Sequence, residues 1–252
     1  MENKLSIMDL LLETHINLKR QGPGSLEVVE KVLKFIEPLN HLSKIADLGC
    51  GTGGQSIILA NYLSGTIVGL DIFPKFIDKF NENIKARNLQ NRVTGIVGFM
   101  ENLPFEKNSL DLIWSEGAID NIGFENGLSH WYNFLKKDGF VAVTCPSWLT
   151  NEYPNEVDKF WTEAGSQLNS VSNNIEIMEK CGYKFISAFT LPEECWTENY
   201  FIPRELEIKK LSKKYLNNKT LIKYAEQNQY EVELFLKYKK YYGYVFYIGK
   251  KI

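Results

Sequence analysis

The chain has few of the residues that most readily announce a site. It carries three histidines, His15, His41 and His130, too scattered to frame a metal centre, so no metal is expected. Its four cysteines, Cys50, Cys145, Cys181 and Cys195, lie far apart and form no C-x-x-C pair, which points to free thiols in a reducing compartment and to a cytoplasmic protein. No apolar run approaches the roughly 20 residues that a membrane helix needs, and the start Met1-Glu2-Asn3-Lys4 lacks the uninterrupted apolar stretch of a signal peptide. The formal net charge of -2 gives no general electrostatic reason to expect nucleic acid or an anionic membrane as partner. Internal repeats and low-complexity stretches are also missing. The 252 residues, 44% hydrophobic and 24% charged, are ordinary for a single globular domain with a sizeable core.

Apolar spacing divides that domain into three stretches. Residues 1–42 read as a helical cap: Leu5, Met8, Leu11, Leu12 and Ile16 recur at helical spacing. After the break Arg20-Gln21-Gly22-Pro23-Gly24-Ser25, Ser25 can cap a second helix bearing Val28, Val29, Val32 and Leu33. Residues 43–145 alternate strand and helix, with strands expected at Lys44–Leu48, Thr66–Asp71, Val93–Val97, Leu110–Ser115 and Gly139–Thr144. Helices are expected at Gly53–Leu63, Pro74–Arg87 and Gly127–Leu135. That rhythm predicts an α/β fold, a doubly wound and mostly parallel sheet with ligand sites at the carboxyl ends of its strands. Residues 146–252 read as a substrate-side half, helical and irregular from Pro146 to Cys181, with strands at Tyr183–Leu191 and Tyr244–Ile248. A helical insertion at about 192–243 lies between those strands.

The chemistry concentrates in Asp47-Leu48-Gly49-Cys50-Gly51-Thr52-Gly53-Gly54. A strand runs through a glycine-dense turn into a helix, and the next strand closes on Asp71. This is the layout of a nucleotide-binding βαβ unit, with Asp71 placed for a ribose diol. Gly49, Gly51 and Gly54 satisfy G-x-G-x-x-G, so a nicotinamide or flavin dinucleotide, and hence an NAD(P)-dependent oxidoreductase, is formally allowed. Asp47, two residues before the first glycine, tilts against it, because a buried carboxylate repels a pyrophosphate and suits an ammonium. Gly53 and Gly54, at the start of the helix, are expected to leave room for a thioether or sulfonium chain.

Taken with Asn102-Leu103-Pro104-Phe105, Leu110-Asp111-Leu112-Ile113 and Leu135-Lys136-Lys137-Asp138-Gly139-Phe140, this segment resembles the class I S-adenosylmethionine-dependent methyltransferases. The likeness is to their small-molecule, quinone-biosynthesis-like branch, and it covers about Ile45 to Thr144. The resemblance implies a seven-stranded Rossmann-like sheet whose antiparallel last strand is inserted beside strand five. It implies S-adenosyl-L-methionine as cofactor and a small-molecule methyl acceptor. Gly49, Cys50, Gly51, Gly53 and Gln55 would surround the methionine part, with Asp47 facing its amino group. Asp71 would take the ribose hydroxyls, Ile72 would pack on the adenine, and Phe99-Met100-Glu101 would hold the adenine edge. Ser115-Glu116-Gly117 would flank the sulfonium.

Methyl transfer from a sulfonium is an in-line displacement with a good leaving group, so alignment and exclusion of water carry much of the catalysis. Glu116 is the candidate general base, weighed against a role in holding cofactor or loop. Trp148, Trp196 and Tyr200 are candidate walls of an acceptor pocket, against the reading that they join the insertion to the core. Gln21 and Gly22 belong to a candidate lid over the cofactor, against a plain interhelix turn. The lysines between 209 and 240 read as a solvated face, with RNA binding or RNA methylation as the minority alternative. A homodimer is allowed.

Overall fold

Strands buried on both faces need helices on both faces, and the chain supplies them in order. A computed structural model describes residues 5–252; the reading of Met1–Lys4 falls outside the described residues. The first helix, α1 (Ile7–His15), starts on a reciprocal cap between Ser6 and Asp9. In α2 (Leu26–Leu33) the Ser25 hydroxyl accepts from the amide of Val28 at 3.1 Å, the cap its position predicts. Then follow β1 (Lys44–Leu48), α3 (Gly54–Tyr62), β2 (Thr66–Asp71), α4 (Pro74–Lys85), β3 (Val93–Val97), β4 (Leu110–Ser115), α5 (Phe124–Tyr132) and β5 (Leu135–Trp148). The substrate-side half adds α6 (Asn155–Glu163), the two-residue β6 (Asn169–Ser170), α7 (Val171–Lys180) and β7 (Tyr183–Thr190). The insertion is α8 (Glu193–Trp196), a π-helical turn at Thr197–Phe201, α9 (Ile202–Lys214) and α10 (Lys219–Tyr238), and β8 (Tyr242–Lys251) closes the fold.

The main sheet runs β3-β2-β1-β4-β5-β8-β7, with β6 attached to β5. The first five strands pair in parallel, and β8 enters antiparallel between β5 and β7. This is the seven-strand order with an inserted last strand that the resemblance implies; β6 is an addition to it. The alternation of side chains along each strand sends Ile45, Leu112, Trp114, Phe140 and Phe246 to one core, with α2, α3 and α4. Ala46, Leu48, Ile113, Val141 and Tyr247 go to the other, with α5 and α7. A third, small core joins Leu10 of α1 to Ile208, Leu211, Leu221 and Tyr224 of α9 and α10.

The clearest departures from the expected elements lie at α5 and β5. The helix expected from Gly127 begins at Phe124, directly after Gly123, whose φ of 85° turns the chain. The fifth strand does not give way to irregular structure at Pro146 but runs on to Trp148, paired with β8 as far as Tyr242. The pairing of β4 with β5 stops at Val143, so Pro146 lies beyond β4 and its missing N–H breaks no bond of that ladder.

One contact ties the glycine turn to this frame. The Phe80 ring of α4 is fully buried. A Cβ added at Gly53, Gly69 or Gly95 would come within 1.8, 2.4 and 2.6 Å of it. Gly53 also has φ 81°, a region that penalises any side chain. Gly53→Ala is therefore expected to lower stability by about 2–4 kcal/mol, from the backbone penalty and overpacking together. Gly22→Ala, at a position with nothing within 4 Å, should change it by less than about 0.5 kcal/mol. Urea midpoints of the two variants check this.

Candidate active site

The turn after β1 lies at the carboxyl ends of β1, β2 and β4. Gly49, Gly51 and Gly53 all have left-handed φ, 74°, 55° and 81°. The amides of Gly49 and Cys50 donate to the Leu70 carbonyl at 2.8 and 3.1 Å, which pins the turn to β2. The room expected at Gly53 and Gly54 is not there for a ligand. The Phe80 ring takes it at Gly53, and the Lys19 carbonyl lies 2.1 Å from a Cβ placed on Gly54. These two glycines serve close packing within the protein. Cys50 likewise turns inward: it is buried, its thiol pushed up by burial, and its sulfur packs against Gly69. Gln55 is buried in the first turn of α3.

Two carboxylates flank the turn. Asp47 is 1% exposed, and its carboxyl accepts from the Ser56 hydroxyl at 2.5 Å. Burial pushes its pKa up to about 7, with the nearby charges of Glu116 and Asp71 adding to the rise. Asp71 accepts from the amide of Gly51 at 2.9 Å and from that of Phe73 at 3.0 Å, so it braces the turn while its pKa is raised by burial. Past Asp71 an apolar ledge faces outward. Ile72, Val97 and Phe99 are 45, 53 and 63% exposed at the ends of β2 and β3, unusual for side chains so close to a buried core. Met100, expected on this edge, is instead buried, its sulfur toward Gly49 and its carbonyl accepting from Trp131 Nε1 at 3.0 Å. Glu101 is exposed. The ledge is thus made by Phe99, with Met100 beneath it.

The segment Arg20–Ser25 is not a plain turn between helices. Gln21 Oε1 accepts from the amide of Thr52 at 3.0 Å, and its Nε2 donates to the Thr52 hydroxyl at 3.0 Å and to the His15 and Leu18 carbonyls. The Gln21 side chain lies where a Cβ on Gly51 would be. Arg20 Nη1 donates to Glu116 Oε2 at 2.8 Å in a buried ion pair. Trp114 Nε1 donates to the other Glu116 oxygen at 2.9 Å. A Cβ on Gly24 would strike both Arg20 and Glu116, while Gly22 stands in open space. The Glu116 carboxylate, expected as a candidate base, is therefore engaged at both oxygens and fastens the Arg20–Ser25 strap to the end of β4. Ser115 is fully buried and donates its hydroxyl to the Leu48 carbonyl at 2.8 Å; its side chain ties β4 to β1 and does not face the crevice.

The three aromatic candidates are core residues. Trp148 stacks on Tyr153 with centroids 4.0 Å apart, and Trp196 on Phe235 at 4.4 Å. The Tyr200 hydroxyl accepts from Arg204 Nη1 at 3.1 Å and lies 3.2 Å from His15 Nε2. Since His15 Nδ1 points at the Leu11 carbonyl, and burial lowers the ring's pKa to about 4, the neutral imidazole accepts from Tyr200. The hydroxyl is thereby fully engaged, between α1 and α9. Of the lysines read as a solvated face, Lys209 and Lys210 pair with Glu205 and Glu207 one turn away. Sequence reasoning did not find Ser56 as the partner of Asp47, Arg20 as that of Glu116, or Phe80. Helical spacing places Phe80 on the buried face of α4; nothing in the sequence marks the other two pairings.

Comparison with known proteins agrees with this geometry. Residues 45–139 match the family model of a methyltransferase domain. Over 166 residues the chain is 27% identical to phosphoethanolamine N-methyltransferase of Plasmodium falciparum, covering 64% of this chain and 60% of that one. Over 154 residues it is 29% identical to demethylmenaquinone methyltransferase of Lactobacillus johnsonii, covering 58% and 63%. The chain thus spans somewhat under two thirds of the length of these relatives. A solved structure of Haemonchus contortus phosphoethanolamine N-methyltransferase 2 with S-adenosyl-L-methionine superposes with a TM-score of 0.74 at 17% identity, covering 99% of this chain and 58% of that one. The fold is that of the Rossmann-like methyltransferases, and residues 45–139 are similar to a methyltransferase domain.

The raised pKa of Asp47 has a definite sign in stability. Between about pH 4 and 7 the folded protein holds a proton on Asp47 that the unfolded chain has released, so this group's contribution falls as pH rises through that window. The depressed pKa of His15 works in the opposite direction below about 6.5, which is why the difference between variants is the informative quantity. Asp47→Asn should gain stability relative to the wild type as pH rises from 5 to 8, measured as the difference in thermal midpoint.

Proposed function

We propose that this protein transfers the methyl group of S-adenosyl-L-methionine to a small-molecule acceptor. The observation that carries the reading is the pair Asp47 and Asp71 across the glycine turn, beside the outward apolar ledge. Asp47 is buried among other carboxylates with a hydroxyl as its hydrogen-bond donor, an environment that a ligand ammonium relieves and a pyrophosphate aggravates. Asp71 would take the ribose hydroxyls, and Ile72 with Phe99 would cover the adenine. The glycine backbone from Gly49 to Gly53 would run beneath the methionine chain. When bound, the cofactor supplies an electrophilic methyl group on a sulfonium. The chain itself supplies the strap, whose Gln21 and Arg20 bonds close the crevice against water, and the scaffold that aligns the acceptor. Glu116 acts in this reading by holding the strap closed.

The acceptor is a small molecule, in keeping with the relatives named above. Paired lysines on α9 and the near-neutral charge favour it over RNA. Four unpaired cysteines support a reducing, cytoplasmic setting, and no described helix is long and apolar enough to cross a membrane.

Titration calorimetry with S-adenosylhomocysteine and with NADH tests the reading. Homocysteine-ligand binding in the micromolar range with no NADH binding is expected; the reverse pattern would sink it. Asp47→Asn, by removing a charge-assisted contact, should weaken S-adenosylhomocysteine binding about 10- to 100-fold. Glu116→Gln should alter that affinity far less than Asp47→Asn does.

A further inference from the structure

Four residues beyond Glu116, on the 3-10 turn Ile119–Asn121, stands a carboxylate that the cofactor reading does not use. Asp120 Oδ2 accepts from the Ser166 hydroxyl at 3.0 Å, but Asp120 Oδ1 is buried with no hydrogen-bond partner. Its pKa is raised by that burial. The buried arginines do not neutralise it: Arg20 pairs with Glu116 and Arg204 with Glu231. Buried polar atoms are nearly always satisfied, and one left open asks for a cause.

Its surroundings supply one. Ser166, which binds Asp120, also donates its amide to the Trp161 carbonyl at 2.9 Å, and Trp161 Nε1 is a second buried atom with no partner. The Trp161 ring meets Tyr244 edge-on at 6.4 Å, and Tyr244 lies 5.1 Å from Trp196. Burial pushes the Tyr244 phenol up, with the Asp120 charge adding to the rise, and its hydroxyl is 3.7 Å from where a Cβ on Gly117 would stand. An uncompensated carboxylate, an open indole N–H and aromatic walls therefore meet directly beyond the end of β4, beside the strap-bound Glu116. Alone, a buried carboxylate destabilises the fold; with aromatic neighbours it forms a site for a cation.

We propose that Asp120, walled by Trp161 and Tyr244, binds the protonated amine of the methyl acceptor, so that the acceptor class is a small organic amine. This rests on the methyl-transfer reading for why an acceptor enters here. A quinone, with acceptor oxygens only, would leave Asp120 as uncompensated as it now stands, and a phenol would give its open oxygen a donor without a charge; an ammonium gives it a donor and a counter-charge.

The test is calorimetry in the presence and absence of S-adenosylhomocysteine, with ethanolamine, phenethylamine and tryptamine set against their neutral counterparts ethylene glycol, 2-phenylethanol and tryptophol. At least one amine should bind ten-fold or more tightly than its alcohol. Asp120→Asn should lose that preference while keeping S-adenosylhomocysteine affinity within two-fold and an equal or higher thermal midpoint. Equal binding of amine and alcohol, unchanged amine binding in Asp120→Asn, or no binding of any amine at 10 mM would overturn the proposal. So would a fall of several degrees in the Asp120→Asn midpoint, which would mark the carboxylate as structural. Failure of S-adenosylhomocysteine to bind would instead count against methyl transfer, and the amine titrations without it would still decide the role of Asp120.

Discussion

The burial of one ring, Phe80, is the contact on which the rest of the site depends. It presses against three glycines, two in neighbouring strands and one in the turn, and so sets how closely α4 can approach β2 and β3. With α4 that close, the turn from Gly49 to Gly53 has one path, and its left-handed residues follow from it. The turn then offers its amides to Leu70 and Asp71. Asp71 is thus both a ligand candidate and a brace. The glycines of this segment answer to packing before they answer to any ligand.

On that rigid base the electrostatics are deliberately unbalanced. Asp47, Asp71 and Asp120 all have raised pKa values from burial, and all lie at or just beyond the carboxyl ends of the parallel strands. Only Glu116 among the buried acids here has a cation of its own, Arg20. A fold optimised for stability alone would neutralise or replace such groups, since unpaired buried charge is among the most destabilising features known. Their retention at one edge of the sheet fits a crevice whose ligands bring positive charge, a sulfonium amino acid on one side and an ammonium on the other.

The sheet was legible because each strand of the first half is a short apolar run and helices such as α2 and α4 show a 3.6-residue stripe, so periodicity carried the architecture. The Asp47–Gly54 turn and Asp71 were legible because they are local: strand end, turn and next strand end fall within 25 residues. The strap was half legible. Gly22, Pro23 and Gly24 mark a break, but that Gln21 would grip Thr52 and Arg20 would reach Glu116, 96 residues away, depends on how α1 packs on α9 and α10. The aromatic candidates were misjudged for the same reason. Sequence identifies Trp148, Trp196 and Tyr200 as large rings, but whether a ring faces a ligand or a neighbouring ring is decided by tertiary packing. Here Tyr153, Phe235 and Arg204 had the prior claim.

The division between a readable cofactor half and an unreadable acceptor half follows from the chemistry each must perform. A cofactor that is always the same can be met by a contiguous turn, whose spacing the backbone dictates. An acceptor must be met by side chains gathered from several elements: Asp120 from beyond the end of β4, Trp161 from α6 and Tyr244 from β8. No two of these are within twenty residues of each other, so no motif can record them. What betrays them is a physical inconsistency, a carboxylate oxygen buried without a partner beside aromatic rings. Such a defect is invisible to spacing and is resolved by a ligand that carries what the protein lacks.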